Sequence, residues 1–406
     1  MADSLVPIDI DSILIGKALP FPIRNEGGVL LANKGFVVSS RQELELMLGR
    51  GVSFYIDASD SEAYHRAYLG QLYSAVGQNK SLGQIASVTA SVSGPTSRRP
   101  VDRDPAPVDW LDLQSQGHTL LREPGSPHFS ERLGNLLSQL QGHVQQNPDG
   151  CLFALFHLAS SETQMYSATH AMLVCVMCSL ASRGVLGWPE QVDETLCLAA
   201  LTMNIGMTEL QDRLAVQTYA VTPEQRKHID HHPALSVALL EKAGITNAVL
   251  LEAVLNHHSV TPGPLASKTP GLRMARLIQR ADMFAARLSP RAKRAPLTPA
   301  AAMQASYFDE NRQVDEAGAA LIKAVGVHSP GAFVRLATNE VAVVLRRGTN
   351  PLMPRVAVLV NREGLPTAEP ILRDTSLRDY RITSSVSRQD VKVQLNLQRL
   401  IPLTSA

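Results

Sequence analysis

Thr222-Pro223-Glu224-Gln225-Arg226-Lys227-His228-Ile229-Asp230-His231-His232-Pro233 begins as a helix and carries three histidines. Threonine is a good N-cap, proline is pre-set for the first helical position, and Gln225 stands three residues after the cap, the spacing of a capping box. A helix is therefore predicted to start at Thr222. Pro233 lacks an amide donor and crowds the carbonyl four residues back, so it is expected to kink or end that helix. His228 and His232 are four residues apart and share one helical face if no break intervenes. Two histidines on one face make a metal site only if other helices bring further donors, so the flanking sequence carries the question.

On both sides of this stretch, from about 108 to 328, apolar residues recur at three and four, as in Leu133, Leu136, Leu137 and Leu140. That period predicts a helical bundle. His170 falls on one predicted helix, His257 and His258 on another, and Asp282 on a fourth. Imidazole and carboxylate are the donors of di-iron and di-manganese centres, and facing helices of a bundle bring such donors together. A single histidine is more often a surface or hydrogen-bonded core residue; the ordered set is what argues for a site. Cys151, Cys175, Cys178 and Cys197 read as small buried hydrophobes. The Cys175-Cys178 pair lies in the apolar run Ala171 to Ala181, without a turn residue or a second pair at zinc-site spacing.

Outside the bundle, residues 1–75 read as a small α+β module. Ile8, Ile10, Ile13 and Leu14, then Glu26-Gly27-Gly28, then Val29-Leu30-Leu31 suggest strand, turn and strand; Ser39 to Leu48 comes next as a helix with Ser40 as cap and Glu43 three residues on. Residues 76–107, rich in Ser, Thr, Gly, Pro and Arg, read as a flexible linker whose arginines are too spread to form a nucleic-acid patch. Residues 331–406 form a β-rich extension: Val341 to Leu345 and Val356 to Val360 are strand candidates. Val391, Val393, Leu395 and Leu397 alternate with polar residues and are also predicted to form a strand. Over 406 residues, 38 basic and 37 acidic side chains nearly cancel. No general attraction to nucleic acid or to a membrane surface results, and the absence of a secretory or spanning apolar segment leads to the expectation of a cytoplasmic protein.

The motifs, in order, resemble the HD-GYP family of metal-dependent phosphohydrolases over roughly residues 150 to 360. Tyr166-Ser167-Ala168-Thr169-His170 looks like the family's first histidine motif. Thr222 to Gln225 followed by His232-Pro233 looks like its Thr-x-x-Glu and His-Pro stretch, His257-His258 like its paired histidines, and Arg276 to Asp282 like the helix ending in a ligating aspartate. The resemblance implies a mainly α, HD-type helical bundle at 108–330 and a place in bacterial cyclic di-GMP signalling. It also implies phosphodiesterase chemistry, in which a hydroxide shared by two metals attacks phosphorus.

The departures from that pattern bear on the chemistry. Where the family has His-Asp-Ile-Gly-Lys, this chain has Met203-Asn204-Ile205-Gly206-Met207; where it follows its paired histidines with Glu and then Asp-Gly-x-Gly-Tyr-Pro, the chain reads Ser259-Val260-Thr261-Pro262-Gly263-Pro264; and Ala285 replaces a repeated aspartate. Asn204 is an uncharged amide in the bridging position, Met203 a soft thioether, and Met207 removes a phosphate-directed cation. The expectation is a catalytically impaired member that acts by binding cyclic di-GMP, a related dinucleotide or other signalling proteins. His170, His232, His257, His258 and Asp282 are the candidate ligands, with His228 as an added one, for one iron or manganese ion at most, or none. Two alternatives stand beside it. One is an active phosphodiesterase remodelled around Asp230 or Glu209 as substitute carboxylate, and the other a purely structural interaction module.

Overall fold

The structure is a computed structural model that describes residues 5–8, 19, 22–24, 30–33, 35–38, 54–57, 108–161, 163–289 and 297–405. The chain divides into two compact units, Met1–Ala106 and Pro107–Ala406. In the first, strands β1 (Leu5–Ile8), β2 (Ile23–Arg24), β3 (Leu30–Ala32) and β4 (Phe54–Asp57) form a sheet of order β1-β4-β2-β3. β2 and β3 pair antiparallel, and the expected turn at Glu26-Gly27-Gly28 lies outside the described residues. The helix expected at Ser39 to Leu48, the strand residues Ile10 to Leu14 and the linker 76–107 lie outside the described residues.

The second unit begins with helices α1 (Trp110–Arg122), α2 (Phe129–Gln146), α3 (Pro148–Ser161), α4 (Tyr166–Gly184), α5 (Glu190–Thr202) and α6 (Thr208–Val216). It continues with α7 (Pro223–Lys242), α8 (Ala248–Asn256), α9 (Pro270–Leu288), α10 (Pro299–Tyr307) and α11 (Glu316–Val325). α4 is the axis of the bundle. It is apolar all round and buried along almost its entire length, packing against α1, α3, α5, α9 and α11. The four cysteines are buried free thiols. Burial pushes Cys151 up to about 12 and Cys178 well above the thiol range, so both stay protonated hydrophobes.

α7 starts at the expected capping box: Thr222 Oγ1 accepts from the Gln225 amide at 3.2 Å, and Gln225 Oε1 accepts from the Thr222 amide at 3.0 Å. The helix does not end at Pro233 but runs on to Lys242. Proline denies a donor to the Ile229 carbonyl, and His232 Nδ1 lies 2.6 Å from that oxygen and supplies one. The lost backbone bond is thus replaced locally.

Beyond Val325 the chain turns to strands. β5 (Phe333–Leu336), β6 (Val341–Arg346), β7 (Arg355–Val360), β8 (Pro366–Asp374) and β9 (Ile382–Val386) form an antiparallel sheet of order β8-β7-β6-β5-β9. One face of β6 and β7, with Val341, Val343, Leu345, Ala357 and Leu359, packs on Phe153 of α3; the other packs Val344, Val356 and Val358 with Tyr380 and Ile382. The segment from Val391 to Leu397 corrects the sequence reading. It pairs with no strand and leads into a short helix, α12 (Leu397–Leu400). Val391, Val393 and Leu395 do face the core beside Phe153, so the alternation reports an extended chain buried on one side. Period two requires only that burial, not a hydrogen-bonded ladder.

α9 is braced by an ionic network in which Arg276, Arg280 and Asp315 are buried and Glu310 is exposed. Arg276 and Arg280 are each 1% exposed. Arg276 donates to Glu310 through both terminal nitrogens, at 3.0 and 2.9 Å, and through Nε to Asp315 at 2.8 Å. Arg280 donates to Glu310 at 3.0 Å and to the Phe308 carbonyl at 3.1 Å, while Asp315 also caps α11 through the Gly318 amide. Two guanidinium groups and two carboxylates balance, which is what makes the burial of Arg276, Arg280 and Asp315 tolerable. The Arg276 hydrogen bonds hold the Glu310 carboxyl down at about 2, against the opposing push of burial. A carboxyl depressed in the folded state stabilises above its unfolded pKa of about 4.3 and loses that contribution as pH falls towards about 2. Urea titrations of wild type and Glu310→Gln across that window should therefore show the gap between them closing as the solution is acidified.

Candidate metal centre

Two helices deliver three of the histidines expected from sequence to one place. His232 comes from the middle of α7, and His257 and His258 from the turn that ends α8. One ligand atom from each lies within 4.8 Å of the others. The rings stand edge to face or tilted, with centroids 4.1 Å apart for His257–His258 and 5.1 Å for the other two pairs. His232 and His257 are buried, and His258 is exposed.

Backbone geometry sets the tautomers. His257 Nδ1 lies 2.6 Å from the Val254 carbonyl, one of the carbonyls that the end of α8 leaves without a helical donor, just as His232 Nδ1 meets Ile229. A carbonyl can only accept, so each Nδ1 carries the proton and each Nε2 presents a lone pair. Those two Nε2 atoms face each other at 3.1 Å. Burial pushes His232 down to about 4 and His257 to about 3, so neither ring holds a second proton at neutral pH. Two lone pairs at 3.1 Å repel unless a cation lies between them. This is also the spacing of neighbouring nitrogens around one ion at metal–nitrogen distances of about 2.1 Å. These residues fit one cation.

His170 and Asp282 stand differently. His170, in the second turn of α4, stacks on Tyr166 at 5.6 Å and donates Nε2–H to the Asp282 carboxylate at 2.7 Å. Burial favours the neutral acid, but the His170 hydrogen bond and the neighbouring histidines hold the Asp282 carboxyl far below the ordinary range.

The Met203–Met207 segment holds a short 3-10 turn, Ile205–Met207, docked on α7. Ser236, fully buried, donates to the Met203 carbonyl at 2.8 Å and accepts from the Gly206 amide at 3.0 Å, while His228 Nε2 lies 2.8 Å from the Gly206 carbonyl. His228 is thus committed to the backbone. Met203 is buried, and Asn204 Oδ1 is buried without a hydrogen-bond partner. Gly206 is required for the docking: a Cβ there would sit 2.8 Å from the Ser236 amide and 2.9 Å from the His232 carbonyl, both backbone atoms that cannot swing away. Gly206→Ala should cost about 1–3 kcal/mol in urea unfolding by forcing α7 outward. Of the substitute carboxylates, Glu209 is exposed and pairs with Arg122 at 3.3 Å, Asp230 is exposed, and neither joins the histidine group.

Sequence reading missed the polar relay behind the centre. Gln279 donates to the Ser259 carbonyl at 3.1 Å and accepts from Arg276 at 2.7 Å. The available signal was three long polar residues, at 276, 279 and 280, on a helix whose other buried positions are small or apolar.

No protein-family model matches the chain. A curated cyclic di-GMP phosphodiesterase of Pseudomonas aeruginosa is 25% identical to it over 245 residues, 59% of this chain. The chain spans about 58% of that relative's length. This similarity and the ordered histidine motifs make the helical part of the second unit similar to HD-GYP-type domains. Among solved structures, one from Bdellovibrio bacteriovorus described as an HDG"Y"P protein aligns over 78% of this chain and 98% of its own, at 14% identity and a TM-score of 0.41. Among the described residues no helix is long and apolar enough to cross a membrane.

Proposed function

We propose that this chain is a catalytically impaired HD-GYP protein of cyclic di-GMP signalling that acts in the cytoplasm by binding, with cyclic di-GMP or a related dinucleotide as ligand. One ion, at most, is held by His232, His257 and His258. The observation that carries this reading is the division of the five candidate ligands. Three imidazoles converge, while Asp282 is engaged by His170 Nε2 at 2.7 Å and Asn204 brings no charge to bridge a second ion. A bound ion would supply a Lewis-acidic contact for a phosphate oxygen.

The chain's own residues do the rest. The Ile229 and Val254 carbonyls orient two rings, and the exposed His258 opens the centre to solvent. Met207 offers no cation to a developing phosphorane, and single contacts of that kind are worth about 3 kcal/mol or more. The similarity to a cyclic di-GMP phosphodiesterase supports the ligand class.

Metal quantification, calorimetric titration with cyclic di-GMP and a hydrolysis assay with added manganese or iron, all on one preparation, test the reading. The expected result is no more than one ion per chain, dinucleotide binding, and no turnover above buffer. Two ions per chain with sustained hydrolysis would overturn it.

A further inference from the structure

Resting on the reading of the three histidines as a metal site, we infer that Gln279 is the positioning residue of the histidine turn: its donation to the Ser259 carbonyl holds His257 and His258 in register with His232. Neither histidine of the pair sits inside a regular helix, because α8 ends at Asn256. The chain then makes a tight turn, closed by the Ser259 amide on the Asn256 carbonyl at 2.8 Å and by Ser259 Oγ on Asn256 Oδ1 at 3.1 Å. These bonds shape the turn but tie it only to its own helix.

The bond from Gln279 Nε2 to the Ser259 carbonyl, at 3.1 Å, ties it to α9. Gln279 is 6% exposed, and its amide has one orientation available. Arg276 is a pure donor and lies 2.7 Å from Gln279 Oε1, so the oxygen must face the guanidinium and the NH2 must face Ser259. Arg276 is itself fixed by Glu310 and Asp315. The order therefore passes from two carboxylates to a guanidinium, to an amide and to the backbone carbonyl next to His258. Asp282, which pairs with His170, lies three residues further along the same helix.

Partners behind a ligand hold its ring in place, and removing one typically lowers metal affinity about 10–100-fold. Two substitutions separate positioning from packing. Gln279→Leu removes both bonds. Gln279→Glu keeps the side-chain length and the oxygen facing Arg276, and replaces the donor to Ser259 by a charged oxygen that can only repel that carbonyl. If Gln279 matters solely as a partner for Arg276, the Glu variant behaves as wild type. If it positions the turn, Glu is as damaging as Leu.

The experiment titrates each full-length protein, freed of metal, with Co2+. It tracks the visible absorption of the bound ion and, in parallel, the apo melting temperature. Expected is a roughly 10–100-fold weaker Co2+ affinity and an altered band in both variants, with an apo melting temperature in Gln279→Glu no lower than in Gln279→Leu, where Arg276 loses its acceptor. Wild-type affinity and spectrum in Gln279→Glu would overturn the role of Gln279 and leave the metal reading standing. A wild-type chain that binds no Co2+ would overturn the metal reading itself.

Discussion

Replacing His257 by alanine should abolish the proposed metal binding: affinity for a divalent ion is expected to fall by more than the roughly 100-fold that loss of an outer partner can cause. The ring supplies one of two inward Nε2 atoms, 3.1 Å from that of His232, and its deletion leaves no buried pair to share an ion. The apo protein changes too, because a fully buried ring is lost and the Val254 carbonyl is left without its donor. His258→Ala separates the two effects. That ring is exposed, so apo stability should hold while the third donor disappears. Equilibrium dialysis against Zn2+ or Mn2+ and thermal melts of both variants measure this. Undiminished metal uptake by His257→Ala would place the ion elsewhere.

Arg276→Ala is the second large effect, and it falls on stability. Arg276 is 1% exposed and bonded to Glu310, Asp315 and Gln279 at once. Removing one partner of a buried ion pair costs about 3–5 kcal/mol, and here Asp315 stays buried without this counter-charge while the exposed Glu310 remains in solvent. Arg280 donates to Glu310 and lies near Asp315, so it limits the loss without cancelling it. Chemical denaturation gives the value directly. A loss under about 1 kcal/mol, the range of an exposed pair, would show that the network is solvated.

The bundle was legible because its helices carry three-and-four periodicity and their caps are written in local chemistry; the capping box at Thr222 and Gln225 forms as expected. The β-rich end was legible in part. Val341–Arg346 and Arg355–Val360 pair as strands, whereas Val391 to Leu397, with the cleaner alternation, pairs with none. Alternation reports which side of an extended chain is buried, and a ladder needs a partner strand that the local sequence does not specify. At the site, the order of motifs brought His232, His257 and His258 forward, and the structure converges them. Spacing alone could not tell that His170 and Asp282 meet each other directly, or that His228 is held by the Gly206 carbonyl. Those pairings depend on how α4, α7 and α9 cross.

Pro233 gives α7 an unusual kind of control. The residue brings no donor or charge of its own to the cluster, yet by withholding an amide it reserves the Ile229 oxygen for the ring next to it in sequence. The imidazole is thereby denied a choice between its two neutral forms, and the nitrogen turned towards the cluster is decided by a vacancy in main-chain bonding one residue away.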